Sequence, residues 1–260
     1  MLHTHLIRGA LSLLLLAGLN STAHAVSLTP QYAGTFTNGD GANSQWVQVS
    51  ADWRGPTNGT EPWGTGIWSL ADQAVAMNLN STDPDVVKTL NTRVDQINFA
   101  DQEFNATGQA KWGPVPIAPI FTLASGEYQD NWASRFTGYL SVTTPGDYNL
   151  GVLYDDGFRF SVTGAGGQTI SLVQDGLNFP DRMGFTENLQ LSNGLYAFQL
   201  DAYERLEAGV VQLSWLTPDA PAWSVIPQAN LFTTPVPEPG VSLLMLAGLG
   251  MVAWRTLKRS

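Results

Sequence analysis

From residue 132 to 216 apolar and polar positions alternate with a period of two, the pattern of half-buried strands whose successive side chains point to opposite faces. Phe136, Gly138, Leu140 and Val142 open the series. Tyr148, Leu150, Val152 and Tyr154 then share one face, with Asp147 and Asn149 on the other. Beyond Asp155-Asp156-Gly157, Phe158, Phe160 and Val162 alternate with Arg159, Ser161 and Thr163. Residues 168–174 and 185–191 continue as strands. Tyr196, Phe198, Leu200 and Ala202 follow, and Val211, Leu213 and Trp215 close the run. Pro145-Gly146 and Asn193-Gly194 punctuate the series as turn signals, the latter as a hairpin. This spacing predicts an all-β chain, an antiparallel sandwich or barrel with at most one or two short helices.

Upstream the pattern is looser. Trp46–Ser50 reads as a strand among Gly, Asn, Thr and Trp. Trp53, Trp63 and Trp68 lie in a Gly/Pro-rich setting and are expected mostly in the core or at strand edges. Residues 38–43 are oxygen-rich but lack the ligand spacing and closing Glu of a calcium loop, and read as a plain loop. Asp83-Pro84-Asp85 looks like a helix start, with Asp83 as cap and Pro84 in the first turn, and predicts a short helix to Leu90. Asp95–Phe99 resumes a strand; Pro114, Pro116 and Pro119 mark an edge or loop.

The two ends differ from this body. Residues 1–25 have the layout of a secretory signal: Arg8, an apolar run over Gly9–Leu19, and the small residues Ala23 and Ala25 at a cleavage site that would leave Val26 first. At the other end, residues 233–240 form a Pro-rich linker, Val241–Trp254 an apolar segment, and residues 255–260 a basic tail with Arg255, Lys258 and Arg259. Fourteen residues are short beside the about 17–25 of a spanning helix, and the basic end favours the cytoplasmic side.

Composition narrows the chemistry. The 260 residues carry a net charge of −10, against nucleic acid or an anionic membrane surface as partner. There is no cysteine, and His3, His5 and His24 all precede the expected cleavage point. Ser-His-Asp and Cys-His catalysis and the usual zinc, copper and iron ligands are thereby excluded from the body, while oxygen-ligated metals remain open. Asp155-Asp156-Gly157 admits two readings: a type I′ hairpin turn, or paired carboxylates that hold a hard cation such as calcium.

Val236-Pro237-Glu238-Pro239-Gly240, followed by the apolar run and basic cluster, resembles the PEP-CTERM sorting signal of exported bacterial proteins. The resemblance implies processing by an exosortase in the membrane of a two-membraned, exopolysaccharide-making bacterium. The product would reach the cell surface or extracellular matrix after a transient inner-membrane stage.

Residues 88–232 resemble a PA14 domain. The pieces that carry the likeness, in order, are Val94–Phe99, Ser134–Leu140, Gly146-Asp147-Tyr148 and Tyr154-Asp-Asp-Gly-Phe-Arg159, then Leu191–Tyr196, Tyr203-Glu204, Ala208–Trp215 and Ile226–Leu231. Residues 26–87 then form a β-rich N-terminal extension of the domain. The family fold is a β-sandwich. In its sugar-binding adhesins, paired aspartates joined by a cis peptide bind a calcium that grips sugar hydroxyls, and Asp155 and Asp156 match that pair. A second calcium loop would fall near Tyr203–Gly209; its asparagine is not matched, and Glu204 or Glu207 is the oxygen donor available there.

The resemblance therefore implies a non-enzymatic carbohydrate-binding module. Calcium at Asp155 and Asp156, with Glu204, would bridge vicinal hydroxyls of a polysaccharide or glycan while a Trp or Tyr stacks on the ring. The alternative is a structural or protein-interaction component of the exopolysaccharide matrix that binds no sugar. A glycoside hydrolase would need two carboxyl groups about 5–9.5 Å apart across a cleft. Asp175, Asp181, Glu187, Glu204 and Glu207 are the pool, and no motif singles out a pair, so the chain is read as no enzyme.

Overall fold

The computed structural model describes residues 26–57, 64–107, 118–119 and 130–235. The signal segment with Ala23 and Ala25, the sorting motif Val236–Pro239, the apolar stretch 241–254 and the basic tail lie outside the described residues, as does Trp63. Among the described residues no helix is long and apolar enough to cross a membrane.

The strands in chain order are β1 (Val26–Leu28), β2 (Tyr32–Ala33), β3 (Ala42–Val49), β4 (Val86–Val94), β5 (Asn98–Ala100), β6 (Ala118–Pro119), β7 (Trp132–Val142) and β8 (Gly146–Asp155). After them come β9 (Gly157–Thr163), β10 (Thr169–Gln174), β11 (Asp181–Gly184), β12 (Leu189–Leu191), β13 (Gly194–Glu204), β14 (Val210–Thr217), β15 (Ala220–Val225) and β16 (Leu231–Phe232). Two short helices, α1 (Leu70–Ala76) and α2 (Gln102–Thr107), complete the set. The strands form two sheets. One runs β1-β12-β8-β14-β5-β6, with β11 also on β8 and β15 on β14. The other runs β10-β9-β13-β7-β3-β4, with β2 on β13 and β16 on β7. Pairing is antiparallel except for β1–β12 and β5–β6, which are parallel. The chain is an all-β sandwich.

The alternating positions read from the sequence meet between the sheets. Tyr148, Leu150, Val152 and Tyr154 of β8 and Val211, Leu213 and Trp215 of β14 face Phe158, Phe160 and Val162 of β9 and Phe198 and Leu200 of β13 in one core cluster. Trp46 of β3 packs there too, its ring centroid 5.3 Å from Phe136 and from Trp132. Trp53 and Trp68 are buried as well, Trp53 in a second cluster with Ile67, Leu70 and Tyr203 on the far side of the second sheet.

Four local expectations are corrected. Asp83-Pro84-Asp85 starts no helix: the Asp83 carboxylate accepts from Asp85 N at 3.0 Å in a turn, and the β-branched run after it forms strand β4 against β3. The helix lies earlier, where Ser69 caps α1 through Asp72 N. Residues 185–191 are not one strand, because β11 ends at Gly184 and β12 starts at Leu189. Neither Asn193-Gly194 nor Asp155-Asp156-Gly157 closes a hairpin. Both carry the chain across from one sheet to the other, since β12 and β8 lie in the first sheet and β13 and β9 in the second.

Phe136 is fully buried and also stacks on Phe99 with centroids 6.0 Å apart. Phe136→Ala is expected to cost about 3–5 kcal/mol, since the cavity is walled by strands of a closed-up core. Urea unfolding should show a lower midpoint at an unchanged slope.

Candidate functional site at the sheet crossings

Two crossings lie side by side at one end of the sandwich. The first, Asp155-Asp156-Gly157, joins β8 to β9; the second, Arg205–Gly209, joins β13 to β14. They are neighbours because Asp155 pairs with Val210 across β8–β14 and Gly157 with Tyr203 across β9–β13. Asp156 stitches them together. Its backbone N–H donates to Tyr203 O at 2.9 Å, and its carboxylate Oδ2 accepts from Arg205 N at 2.8 Å. The Asp155–Asp156 peptide is cis. Gly157 is dictated by closeness: a Cβ there would sit 2.5 Å from the Tyr203 hydroxyl oxygen.

A third segment, residues 175–180 between β10 and β11, is drawn onto the same point. Asn178 N donates to Asp156 Oδ1 at 3.1 Å, and Asn178 Nδ2 donates to Asp156 O at 3.0 Å. The base of the loop is held by Asp175, whose Oδ1 accepts from the Tyr203 hydroxyl at 2.9 Å and from Leu70 N at 2.8 Å. Between this loop and the second crossing opens a pocket of about 350 Å³. Asp155, Asp156 and Asn178 line it with Leu177, Phe179 and Pro180 from the one loop and Leu206, Glu207 and Ala208 from the other. Both aspartates are buried, whereas Phe179 is 87% exposed, so the carboxylates lie deep and the apolar side chains form the rim. The aromatic residue at the pocket is thus a phenylalanine; among the described residues no Trp or Tyr lines it.

The surroundings are crowded with acid. Burial and the field of its partner push the Asp155 carboxyl far above the ordinary range, and burial raises Asp156 despite the N–H groups it accepts from. Asp101 and Asp130, from the ends next to β5 and β7, are each raised to about 6, chiefly by burial. The nearby cation does not neutralise them by direct pairing: the Arg205 guanidinium donates to Thr65 O at 2.9 Å and lies 4.4 Å over the Trp68 ring. Oxygen donors and surplus negative charge are what a hard cation requires, so the donor set at Asp155 and Asp156 fits calcium. Among the described residues, however, no group of three or more carboxylates is gathered tightly enough to hold a metal on its own. Backbone or ligand oxygens would have to complete the shell.

Glu204 stands apart from the pair. The period of two in β13 places it after Phe198, Leu200 and Ala202 on the inter-sheet face, fully buried, and neither carboxyl oxygen has a hydrogen-bond partner. Burial, with Asp130 and Asp156 nearby, raises its pKa strongly. A Cβ on Gly209 would lie 2.8 Å from Glu204 Cγ, so the crossing folds tightly over this side chain. Glu207, in a left-handed conformation with φ 69°, is the glutamate that lines the pocket. The remaining candidates for a hydrolytic pair are dispersed. Asp175 is engaged in the loop base, Asp181 is exposed on β11, and Glu187 borders a separate cleft with Val26 and Ile170.

Asp101, Asp130, Asn178 and Phe179 were not singled out by the sequence. Asp101 and Asp130 carry no local signal. Leu177-Asn178-Phe179-Pro180 does, because apolar side chains in a short turn between strands have no core to enter.

No family model matches the chain, and no curated protein matches it. Solved structures do. An anti-sigma factor domain-containing protein from Clostridium clariflavum is 18% identical with a TM-score of 0.45, over 81% of this chain and 52% of that one. The chain thus spans about half the length of that protein. A PA14 sugar-binding domain from an RTX adhesin is 15% identical with a TM-score of 0.46, over 75% of this chain and 99% of that one. The A domain of epithelial adhesin 6 from Candida glabrata, in complex with Galb1-3GlcNAc, is 15% identical with a TM-score of 0.48, over 84% and 98%. At these scores the likeness decides neither family nor function.

The buried carboxyls set a pH dependence. Asp101 and Asp130 release their protons near pH 6 when folded but near 3.8, the ordinary value, when unfolded. Between those values the folded state binds more protons, so stability falls as pH rises through the window. In chelator, the urea midpoint should be lower at about pH 7.5 than at about pH 5. A midpoint that rises instead would show that these carboxyls are not buried as described.

Proposed function

We propose that the chain is a carbohydrate-binding module of PA14 type, exported to the cell surface or extracellular matrix and acting without catalysis. The observation that carries this reading is the buried Asp155–Asp156 pair at the base of an open pocket with an apolar rim. Asp155 and Asp156 would hold calcium, with Glu207 the nearest further carboxylate on the pocket wall. A calcium ion supplies open coordination positions for vicinal sugar hydroxyls. The remaining polar contacts come from the chain itself. Pockets of about 300–1,000 Å³ with apolar walls and a few placed polar groups are the usual form of a small-ligand site, and this one has room for a single sugar unit. The signal-like layout of residues 1–25 and the tail that resembles a sorting signal support export, with an exosortase as the enzyme that would process the tail.

A structural role in the matrix is the second reading, and one observation favours it. Each Asp156 carboxylate oxygen already accepts a backbone N–H, from Asn178 and from Arg205. The pair can therefore act as a staple for two crossings and a loop with no ligand at all.

Calcium titration separates the two readings. Calorimetry on the purified protein should show saturable calcium binding that the Asp155→Ala/Asp156→Ala double variant has lost. In calcium, insoluble galactan, mannan or glucan should capture the protein, and chelator should release it. Absence of calcium binding by the folded wild type leaves the staple as the role of the pair. Absence of capture by every polymer in calcium removes the carbohydrate reading.

A further inference from the structure

Strand β10 is a free end of the second sheet: β9 pairs with one side of it, and among the described residues no strand pairs with the other. An open edge offers its unused N–H and C=O groups to any strand that fits, and chains usually guard such edges. The other free edges here are guarded. Strand β4 carries Lys88 and Arg93, β11 carries Asp181 and Arg182, β15 contains Pro221, and β1, β2, β6 and β16 are no longer than three residues. Strand β10 has neither charge nor proline. The whole stretch 160–174 lacks both, and Thr169, Ile170 and Val173 are β-branched residues that suit a strand.

The edge has an apolar inner face and an exposed outer one. Ile170 and Leu172 point between the sheets, opposite Val162 and Phe160 of β9; Leu172 belongs to the core and Ile170 packs against it half-buried. Thr169, Ser171 and Val173 are exposed on the outer face, Val173 at 47%. Beside the edge, Ile170 and Ser171 border a cleft of about 220 Å³ whose other walls include Val26, Phe185 and Leu189. Val26 belongs to the first sheet and Ile170 to the second, so the cleft opens where the two sheets part. Glu187, its one charged residue, is exposed.

We infer that the β10 edge is a pairing surface for a second copy of this chain, joined antiparallel about a two-fold axis through Ser171. Two chains of net charge −10 repel, and this neutral edge is ground on which they can meet. Opposite residues of an antiparallel pair share a face, so the register has to set inward residues against inward ones. Centring on Ser171 does so. Ile170 then lies opposite Leu172 of the second copy, Thr169 opposite its Val173, Gln168 opposite its Gln174, and Ser171 opposite itself. Centring on Leu172 would set Ile170 against Gln174 and Thr169 against Asp175. Both copies use the same patch, so the assembly closes at two. The added strand covers the mouth of the cleft. Strand β10 runs toward its own loop 175–180, so antiparallel pairing sends the two pockets to opposite ends of the joined sheet. On the carbohydrate reading above, the pair would bridge two polymer chains; the pairing itself does not depend on that reading.

Sedimentation equilibrium of the purified protein over a range of concentrations should show a reversible monomer–dimer step. Ser171 is exposed and belongs to no core cluster, so its replacement leaves folding intact. On the axis it meets itself, and Ser171→Lys and Ser171→Glu each bring like charges face to face. Each variant alone should keep the wild-type unfolding midpoint and weaken dimerisation by about fivefold or more, while an equimolar mixture of the two should restore it. Only a contact in which residue 171 opposes residue 171 of another copy gives that restoration. A wild type monomeric at every concentration, a dimer that neither variant weakens, or weakened variants that mixing does not restore each overturn the inference. A monomeric wild type leaves the carbohydrate reading standing, since one pocket suffices to bind.

Discussion

The fold turns on how the chain passes between its two sheets. A sandwich with many crossings must bring backbone through its end, where N–H and C=O groups lose their strand partners and must find others. Asp156 supplies several at once. Its N–H takes the Tyr203 carbonyl, its carboxylate takes the N–H groups of Arg205 and Asn178, and its own carbonyl takes the Asn178 amide. Three segments far apart in sequence therefore converge on one residue. Loss of that carboxylate would leave the buried Arg205 N–H and the partly buried Asn178 N–H short of this partner, the buried one costing about 1–3 kcal/mol. The candidate site is a consequence of the same stitching, because the pocket is the space left between the loop and the crossing that Asp156 holds.

The acid around this knot works against stability. Asp101, Asp130, Asp155 and Glu204 all have raised pKa values, and burial is the largest cause in each. Apolar residues of similar volume would usually be no worse and often better for folding. Glu204 shows this most plainly, a glutamate on the core face of a strand whose preceding inward positions are Phe198, Leu200 and Ala202. Carboxyls in such a place either keep their protons or meet a cation. The first lets the end of the sandwich fold without ligand; the second would balance the buried negative charge at the base of the pocket. The two compete, so a ligand ion has to displace protons as well as attract charge.

The sequence made the strands legible and left their partners hidden. Period-two alternation marked β7, β8, β9, β13 and β14, because inward and outward sides differ sharply in polarity at each of them. Asn-Gly reads as a hairpin, and Asp-Gly as a hairpin or a cation pair, because their backbone preferences are local, whereas the sheet that the next strand joins is decided by packing. Likewise Asp83-Pro84 carried a good helix start, but the Val and Thr residues after it pair better along β3 than they pack as a helix. The Ser69–Asp72 spacing was the true cap signal and could have located α1. At the site, the Asp155–Asp156 pair was visible and its setting was not. Asn178 and Phe179 come from a loop whose approach to Asp156 depends on the register of β10 and β11, which no short motif reports. Of Glu204 and Glu207, the first closes β13 on the buried face, and the second, left-handed within the crossing, lines the pocket.

The other half of the sandwich is fastened by a carboxylate of its own. Strand β16 pairs with Leu140 and Tyr139 near the end of β7, whereas the pocket end of that strand is Trp132. Eight residues at roughly 3.3 Å each separate them by about 26 Å. The chain is fastened there: the Asp40 carboxylate accepts from Thr233 N at 2.8 Å and from the Thr233 hydroxyl at 2.6 Å, and Asn43 donates to Thr233 O at 3.0 Å. Val26 enters on the same side, since β1 runs beside β12, which pairs with the early residues of β8 around Gly146 and Tyr148. Val26 and Phe232 thus both lie in the half of the sandwich away from the carboxylates. Two clamps therefore hold the body, Asp156 at the pocket end and Asp40 in the other half, each using one carboxylate to fasten a segment that β pairing alone leaves loose.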